Sequence, residues 1–206
     1  MIIADFTVQA VVTRLVAGLI IVALQGAVIA SVAVILGDDG PRYDGRRTIS
    51  PWPHVDLVGL GSLMLTGFGW GRSVDIDPTS LRPGRWGLVV AVLAGSAALL
   101  AVAPLLQLLT APLIERLDFT TGVTVAAFLL EAERLFIVMA LLALLPIPPL
   151  AGAHFLTALG FSVPKQAGAY LAWILLIASF FGVTRLVLKP AYDVIAPLLL
   201  RADSFL

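Results

Sequence analysis

Few residues in this chain could do chemistry, and they fall in three places. His54 and His154 are its only histidines, and it has no cysteine. A new metal site would need both imidazoles and a third donor, and Asp56, two residues after His54, is the nearest carboxylate able to serve. The plainer alternative has His54 bonded to backbone in a hairpin and His154 opening an interfacial helix. The second place is "AAFLLEAERLFIV", where Glu131, Glu133 and Arg134 interrupt an apolar run. Ionisable groups at membrane depth are functional candidates by default, as relay, ligand or partner contact. Glu131 and Arg134 stand three residues apart, so on a helix they could also simply pair. The third is "LLPIPPLAGAHFL", residues 144–156. Pro146, Pro148 and Pro149 end a helix there and fix an extended turn.

The elements that carry these residues must lie in lipid. Of 206 residues, 60% are hydrophobic and 13% charged, and the mean hydropathy is +1.03. So few charges could not cover the apolar surface of a water-soluble domain. Lysine plus arginine balances aspartate plus glutamate at 13 each, so nothing suggests nucleic acid. Without cysteine, disulfides and thiolate metal sites are excluded. The chain reads as an all-α polytopic membrane protein in one membrane-embedded domain, residues 1–206.

Four spans are expected, at about 11–36, 87–109, 123–147 and 167–188, each near the ~20 residues that cross a hydrocarbon core. The first reads as a retained helix rather than a signal peptide, because Asp5 precedes a late Arg14. "GDDGP" stops it at Gly37, and "TAP" stops the second near Thr110. The third is either one broken helix with charges at mid-length or a surface segment before a short span. Between the first two spans, residues 42–77 hold an apolar stretch too short and glycine-rich to cross. It reads as a re-entrant or hairpin element, since non-helical backbone at this depth must be buried in protein or face a water-filled cavity. Gly59, Gly61, Gly67, Gly69 and Gly71 point to close backbone packing there. Trp52, Trp70, Trp86 and Trp173 read as interface anchors. Residues 190–206 read as an interfacial, amphipathic tail. Arg42, Arg46, Arg47, Arg72, Arg82 and Arg85 favour residues 37–86 as the cytoplasmic face.

Five motifs in order then carry a resemblance: Leu36-Gly37-Asp38-Asp39; Gly45-Arg46-Arg47-Thr48 with Pro51, His54, Asp56 and Gly59; Gly67-Phe68-Gly69-Trp70-Gly71-Arg72-Ser73-Val74; Leu93-Ala94-Gly95; and Leu144 to Gly152. Over about two thirds of its length the chain resembles the site-2 protease group of intramembrane zinc metalloproteases, in its short bacterial branch. The resemblance implies a helical membrane core with a hairpin between its first two helices. In the family, HExxH on the first helix supplies two zinc-binding histidines and a general base. The corresponding positions here are Gln25-Gly26-Ala27-Val28-Ile29. The family's third ligand, the aspartate of "PPLDG", corresponds to Ala151, and two asparagines correspond to Ala143 and Leu99.

These substitutions lead to the expectation of a non-enzyme: a degenerate protease homologue with no catalytic residue, no metal and no cofactor. Its expected role is an accessory or scaffold subunit, or an assembly factor, that binds transmembrane helices of a larger complex such as a respiratory or photosynthetic one. Expected partner contacts are Glu131, Glu133, Arg134, the small residues Gly26 and Ala30, and Pro146, Pro148 and Pro149. The expected location is a bacterial inner (cytoplasmic) membrane, multi-pass. The alternatives are an active intramembrane metalloprotease with a rebuilt metal site, and a binder of lipid, quinone or pigment in the emptied site.

Overall fold

The computed structural model describes residues 7–162 and 164–200, and the end of the expected tail, 201–206, lies outside them. The elements are α1 (Val8–Leu36), α2 (Gly40–Tyr43), a 3-10 turn (Trp52–His54), α3 (Leu57–Thr66), α4 (Trp86–Ile114), α5 (Phe119–Ala143), α6 (Ala153–Ala158), α7 (Lys165–Phe180) and α8 (Val183–Leu199). Among the described residues there are no strands, only an isolated antiparallel bridge between Val55 and Gly71.

Four spans do not emerge. Among the described residues only α1 and α4 are long and apolar enough to cross alone, at 29 residues each, or about 43 Å of helix. Helix α5 is one continuous rod of 25 residues. Glu131, Glu133 and Arg134 at its middle set it apart from the uninterrupted apolar spans. The expected fourth span is broken: α7 and α8 meet at a 75° bend. Gly182, at φ 79°, lies between them, a left-handed backbone that a residue with a side chain rarely adopts. The pair would make a third crossing only as a broken span. Residues 190–199 are not a separate tail but the second half of α8. At α4, Pro112 does not stop the helix, which continues to Ile114. A proline there forfeits one backbone hydrogen bond.

Helix α1 packs against α3, α4 and α5. The core it shares with them includes Ile21, Leu63, Leu99, Leu135 and Leu142. Gly95 marks the crossing with α4, because a Cβ there would lie 2.6 Å from Ile29 Cγ1. Its ends are set by local chemistry. The Thr7 hydroxyl accepts from the Ala10 amide at 3.1 Å, satisfying one of the free donors of the first turn. Gly37, at φ 120°, closes the other end, its amide donating to the carbonyls of Ala33 and Val34.

The region after α1 folds back onto it. Asp38 is buried, and its carboxylate accepts from the amides of Gly40 at 2.9 Å and Asp77 at 2.8 Å. One side chain thus ties the exit of α1 to the strand-like return. Arg46, also buried, donates to the carbonyls of Pro53 and Arg72. Asp56 caps α3 through the Gly59 amide at 2.7 Å. Helix α3 lies on the 68–71 backbone so closely that a Cβ at Gly59 would come within 2.2 Å of the Trp70 carbonyl oxygen. Trp70 is therefore buried, not an interface anchor, whereas Trp52, Trp86 and Trp173 are exposed.

Replacing Asp38 by alanine strands two backbone donors. The expected loss is about 1–3 kcal/mol of stability, read as a lowered unfolding midpoint of the detergent-solubilised protein, while Asp39→Ala, on the exposed neighbour, should leave the midpoint unchanged.

Candidate functional site

Helix α1, the 69–74 segment, the end of α5 and the turn before α6 enclose one small cavity of about 30 Å³. Gln25, Gly26 and Ile29 line it from α1, and Ala143, Ala151 and His154 from the far side. Position 151 and positions 25, 26 and 29, more than a hundred residues apart in the chain, thus share one space. Leu99 is fully buried in the neighbouring core.

The chemistry of the lining follows from side chains. Gln25 is buried, and its Nε2 has no hydrogen-bond partner among the described residues. Ile29 packs against Gly95. His154 donates from Nε2 to the Val74 carbonyl at 3.0 Å, which spends that nitrogen on holding the 69–74 segment to α6. Catalytic zinc needs about three protein ligands and an open position. An amide, a hydrogen, a branched alkyl group and a methyl at 25, 26, 29 and 151 do not make that set. Among the described residues no group of three His, Cys, Asp or Glu side chains could hold a metal ion, so His54, His154 and Asp56 are not brought together as one either. The donor set does not fit the family's zinc, and no step is routed through it.

What sequence reasoning missed is the contact between Gly26 and His54. His54 is fully buried and donates from Nε2 to the Thr48 carbonyl at 2.9 Å. Its other nitrogen, Nδ1, faces α1, and a Cβ at Gly26 would lie 2.1 Å from it. The imidazole therefore occupies the room into which any side chain at position 26 would grow. Where the family has a glutamate at this place, the ring in its present pose excludes one. The signal was available in the sequence only as a glycine amid an apolar helix, which has no distinctive chemistry of its own.

The other expected contacts are scattered. Glu131 receives both arms of Arg134, Nε at 2.9 Å and Nη2 at 2.7 Å, and also Arg14 Nε at 3.3 Å. Arg14, buried on α1, was not among the expected residues; an arginine in an apolar helix needs a partner, and that was its signal. Glu133 points elsewhere, buried against α4 with Thr110 Oγ1 at 3.5 Å from its Oε1. Gly26 and Ala30 are both buried within the chain, the first under His54 and the second in the cluster with Leu88 and Ala91. Pro146 is exposed, and Pro148 and Pro149 are half-buried, joined by a cis peptide bond.

Burial lowers the pKa of His54, against the hydrogen bond to Thr48 and with the help of Arg46. Burial likewise lowers that of His154. Burial thus favours the neutral form of both rings.

No protein-family profile matches the chain, and neither does any solved structure. Over 128 residues it is 34% identical to "Putative zinc metalloprotease YwhC" of Bacillus subtilis (strain 168). The matched stretch is 60% of this chain and 58% of the relative, so the chain spans less than two thirds of that protein. The similarity supports a site-2 protease-like family. It also corrects the expectation of a non-enzyme: likeness to a protein named as a metalloprotease points to a protease. That expectation ran from a handful of positions to the whole chain, and a missing ligand set excludes one metal cage, not catalysis.

Two outcomes follow. Gly26→Ala should cost about 1–3 kcal/mol through overpacking, and most of that cost should vanish when His54→Ala has already removed the ring, in a double-mutant cycle of unfolding midpoints. Because folded His54 and His154 titrate below their unfolded value of about 6.5, the stability they contribute is full above that pH and is lost as pH falls through their folded values. A melt series from pH 8 to pH 5 should show a falling midpoint below about 6.5, and His54→Gln should flatten it.

Proposed function

We propose that this chain is a site-2 protease-like protein of a bacterial inner membrane that holds a membrane-embedded segment of a partner protein in extended form. The observation that carries the reading is the backbone beside the cavity. Residues 68–77 form no helix and pair only through the bridge at Gly71, and from Ser73 to Asp77 burial alternates with the period of two that extended backbone gives, Val74 and Ile76 buried and Ser73, Asp75 and Asp77 exposed. One edge is occupied where the Arg72 amide donates to the His54 carbonyl at 2.7 Å. Residues 69–74 line the cavity together with Leu150 and Ala151, beside the proline turn that leaves Pro146 and Ile147 exposed. An extended edge offering main-chain donors and acceptors accepts an added peptide strand. A partner helix unwound at this point would satisfy its freed backbone groups there rather than in lipid.

In this reading the chain acts as an accessory or scaffold subunit, or an assembly factor, for a larger membrane complex. The contact surface comprises the 69–74 edge and the turn at Pro146, Pro148 and Pro149. Neither requires a ligand from positions 25, 29 or 151. A second reading is favoured by the relative's name: a protease whose bound segment is cut, for which the described residues show no three-ligand metal site.

Both readings place a polypeptide on the same edge, so a photo-crosslinking residue tests them together. Incorporated at Ser73, it should capture a discrete partner band after gentle extraction. At Leu105, exposed on α4, it should not. Equal labelling at both positions, or none at Ser73, removes the edge as a docking site. Metal content and cleavage separate the readings: near-stoichiometric zinc with hydrolysis of the captured segment selects the protease, and an intact captured segment on metal-free protein selects the scaffold.

A further inference from the structure

A second cleft is far larger than the cavity above. It measures about 860 Å³ and opens at the other end of α1, between the start of that helix, the end of α3, the middle of α5 and the bend from α7 into α8. Arg14 and Gln25 are eleven residues apart, about 16 Å along the helix, so the two spaces are separate.

Its walls have two characters. Leu65, Phe68, Val138 and Leu188 give it an apolar side. Against these stand four cations, Arg14, Arg134, Arg185 and Lys189, and two carboxylates, Glu131 and Asp193, among the described lining residues. Glu131 is engaged by Arg14 and Arg134, and Asp193 by Lys189 one turn away on α8. Arg185 is exposed and has no carboxylate partner among the described residues. The hydroxyls of Thr13 and Tyr192 line the same space.

Depth in the membrane decides what such a cleft fits. At about 43 Å, α1 is longer than a hydrocarbon core of about 30 Å, and a crossing helix of that length has end turns to place in the headgroup layer; its first turns form the cleft's rim. There a surplus of guanidinium and ammonium groups meets phosphate esters, and arginine's planar fork binds two phosphate oxygens at once. The apolar wall accepts the carbon skeleton that such an ester carries.

We propose that this cleft binds a phosphate ester, with Arg185 and Lys189 as the accessible cations and Arg14 with Arg134 as the buried end. The site is independent of the polypeptide-binding edge. Two sources share this chemistry: an anionic phospholipid and a soluble phosphate compound.

The test uses the full chain in nanodiscs of phosphatidylcholine with or without phosphatidylglycerol. Native mass spectrometry then counts lipid retained after transfer to detergent. Selective retention of phosphatidylglycerol is expected, weakened about tenfold when the two α8 cations are removed as Arg185→Gln with Lys189→Gln. Both side chains are exposed, so the fold should survive, and Arg185→Gln alone gives a milder second variant with a smaller loss. Arg82→Gln, an exposed cation in the loop before α4, should retain lipid as the wild type does. Inorganic phosphate that displaces the lipid, with the same dependence on Arg185 and Lys189, assigns the site to a soluble phosphate; lipid retention unaffected by it assigns a headgroup. Equal retention of both lipids, an unchanged double variant, or an Arg82→Gln variant that loses as much would overturn the proposal.

Discussion

Buried backbone that is not helical must find its hydrogen bonds within the chain, and that constraint organises the residues between α1 and α4. Several backbone groups in its non-helical stretches are satisfied from within the chain. Asp38 takes the amides of Gly40 and Asp77, Arg46 supplies donors to the carbonyls of Pro53 and Arg72, and His54 donates to that of Thr48. Ser62 donates to the Phe68 carbonyl at 2.8 Å. In an apolar setting each such group left alone would cost several kcal/mol. The polar side chains of this region are therefore structural first, and this explains why so few of them are left over for chemistry.

Glycines set how closely that region can sit. At Gly59, Gly69 and Gly26 a single methyl would meet backbone or an imidazole at 2.1 to 2.3 Å. The result is a layer with almost no free volume between α1 and the extended segment, apart from the cavity at Gln25 and Ala151. The extended segment's exposed edge exists because α3 and the 3-10 turn hold its other side. The two sites described above thus have different origins: one is a backbone edge left by dense packing, the other a gap left by the bend at Gly182.

Charge inside the bundle follows the same economy. Arg14 and Arg134 share Glu131; a guanidinium near an apolar core without a carboxylate would carry a large desolvation cost. Glu133, two residues from Glu131, faces α4 instead, since residues two apart on a helix do not share a face. A cluster that looks single along the chain is split between two environments.

Composition alone established a helical membrane protein, because 60% hydrophobic residues with 13% charged leave no other solvent. The stops at Gly37 and the turn at Pro146 to Pro149 were also legible, since glycine and proline act through their own backbone. The break at Gly182 was not, because an apolar run with one glycine reads the same whether straight or bent; packing of α8 against α5 accompanies the bend. The span count departs from four for that reason and because Glu131, Glu133 and Arg134 interrupt α5. For the site, the motifs indicated which positions correspond to the family's, but not what surrounds them. That His54 lies on Gly26, that Arg14 reaches Glu131 across 117 residues, and that cations from α1, α5 and α8 line one cleft are facts of distance between remote segments. Local sequence encodes backbone preference and burial; only the folded chain brings side chains far apart in number to within bonding distance.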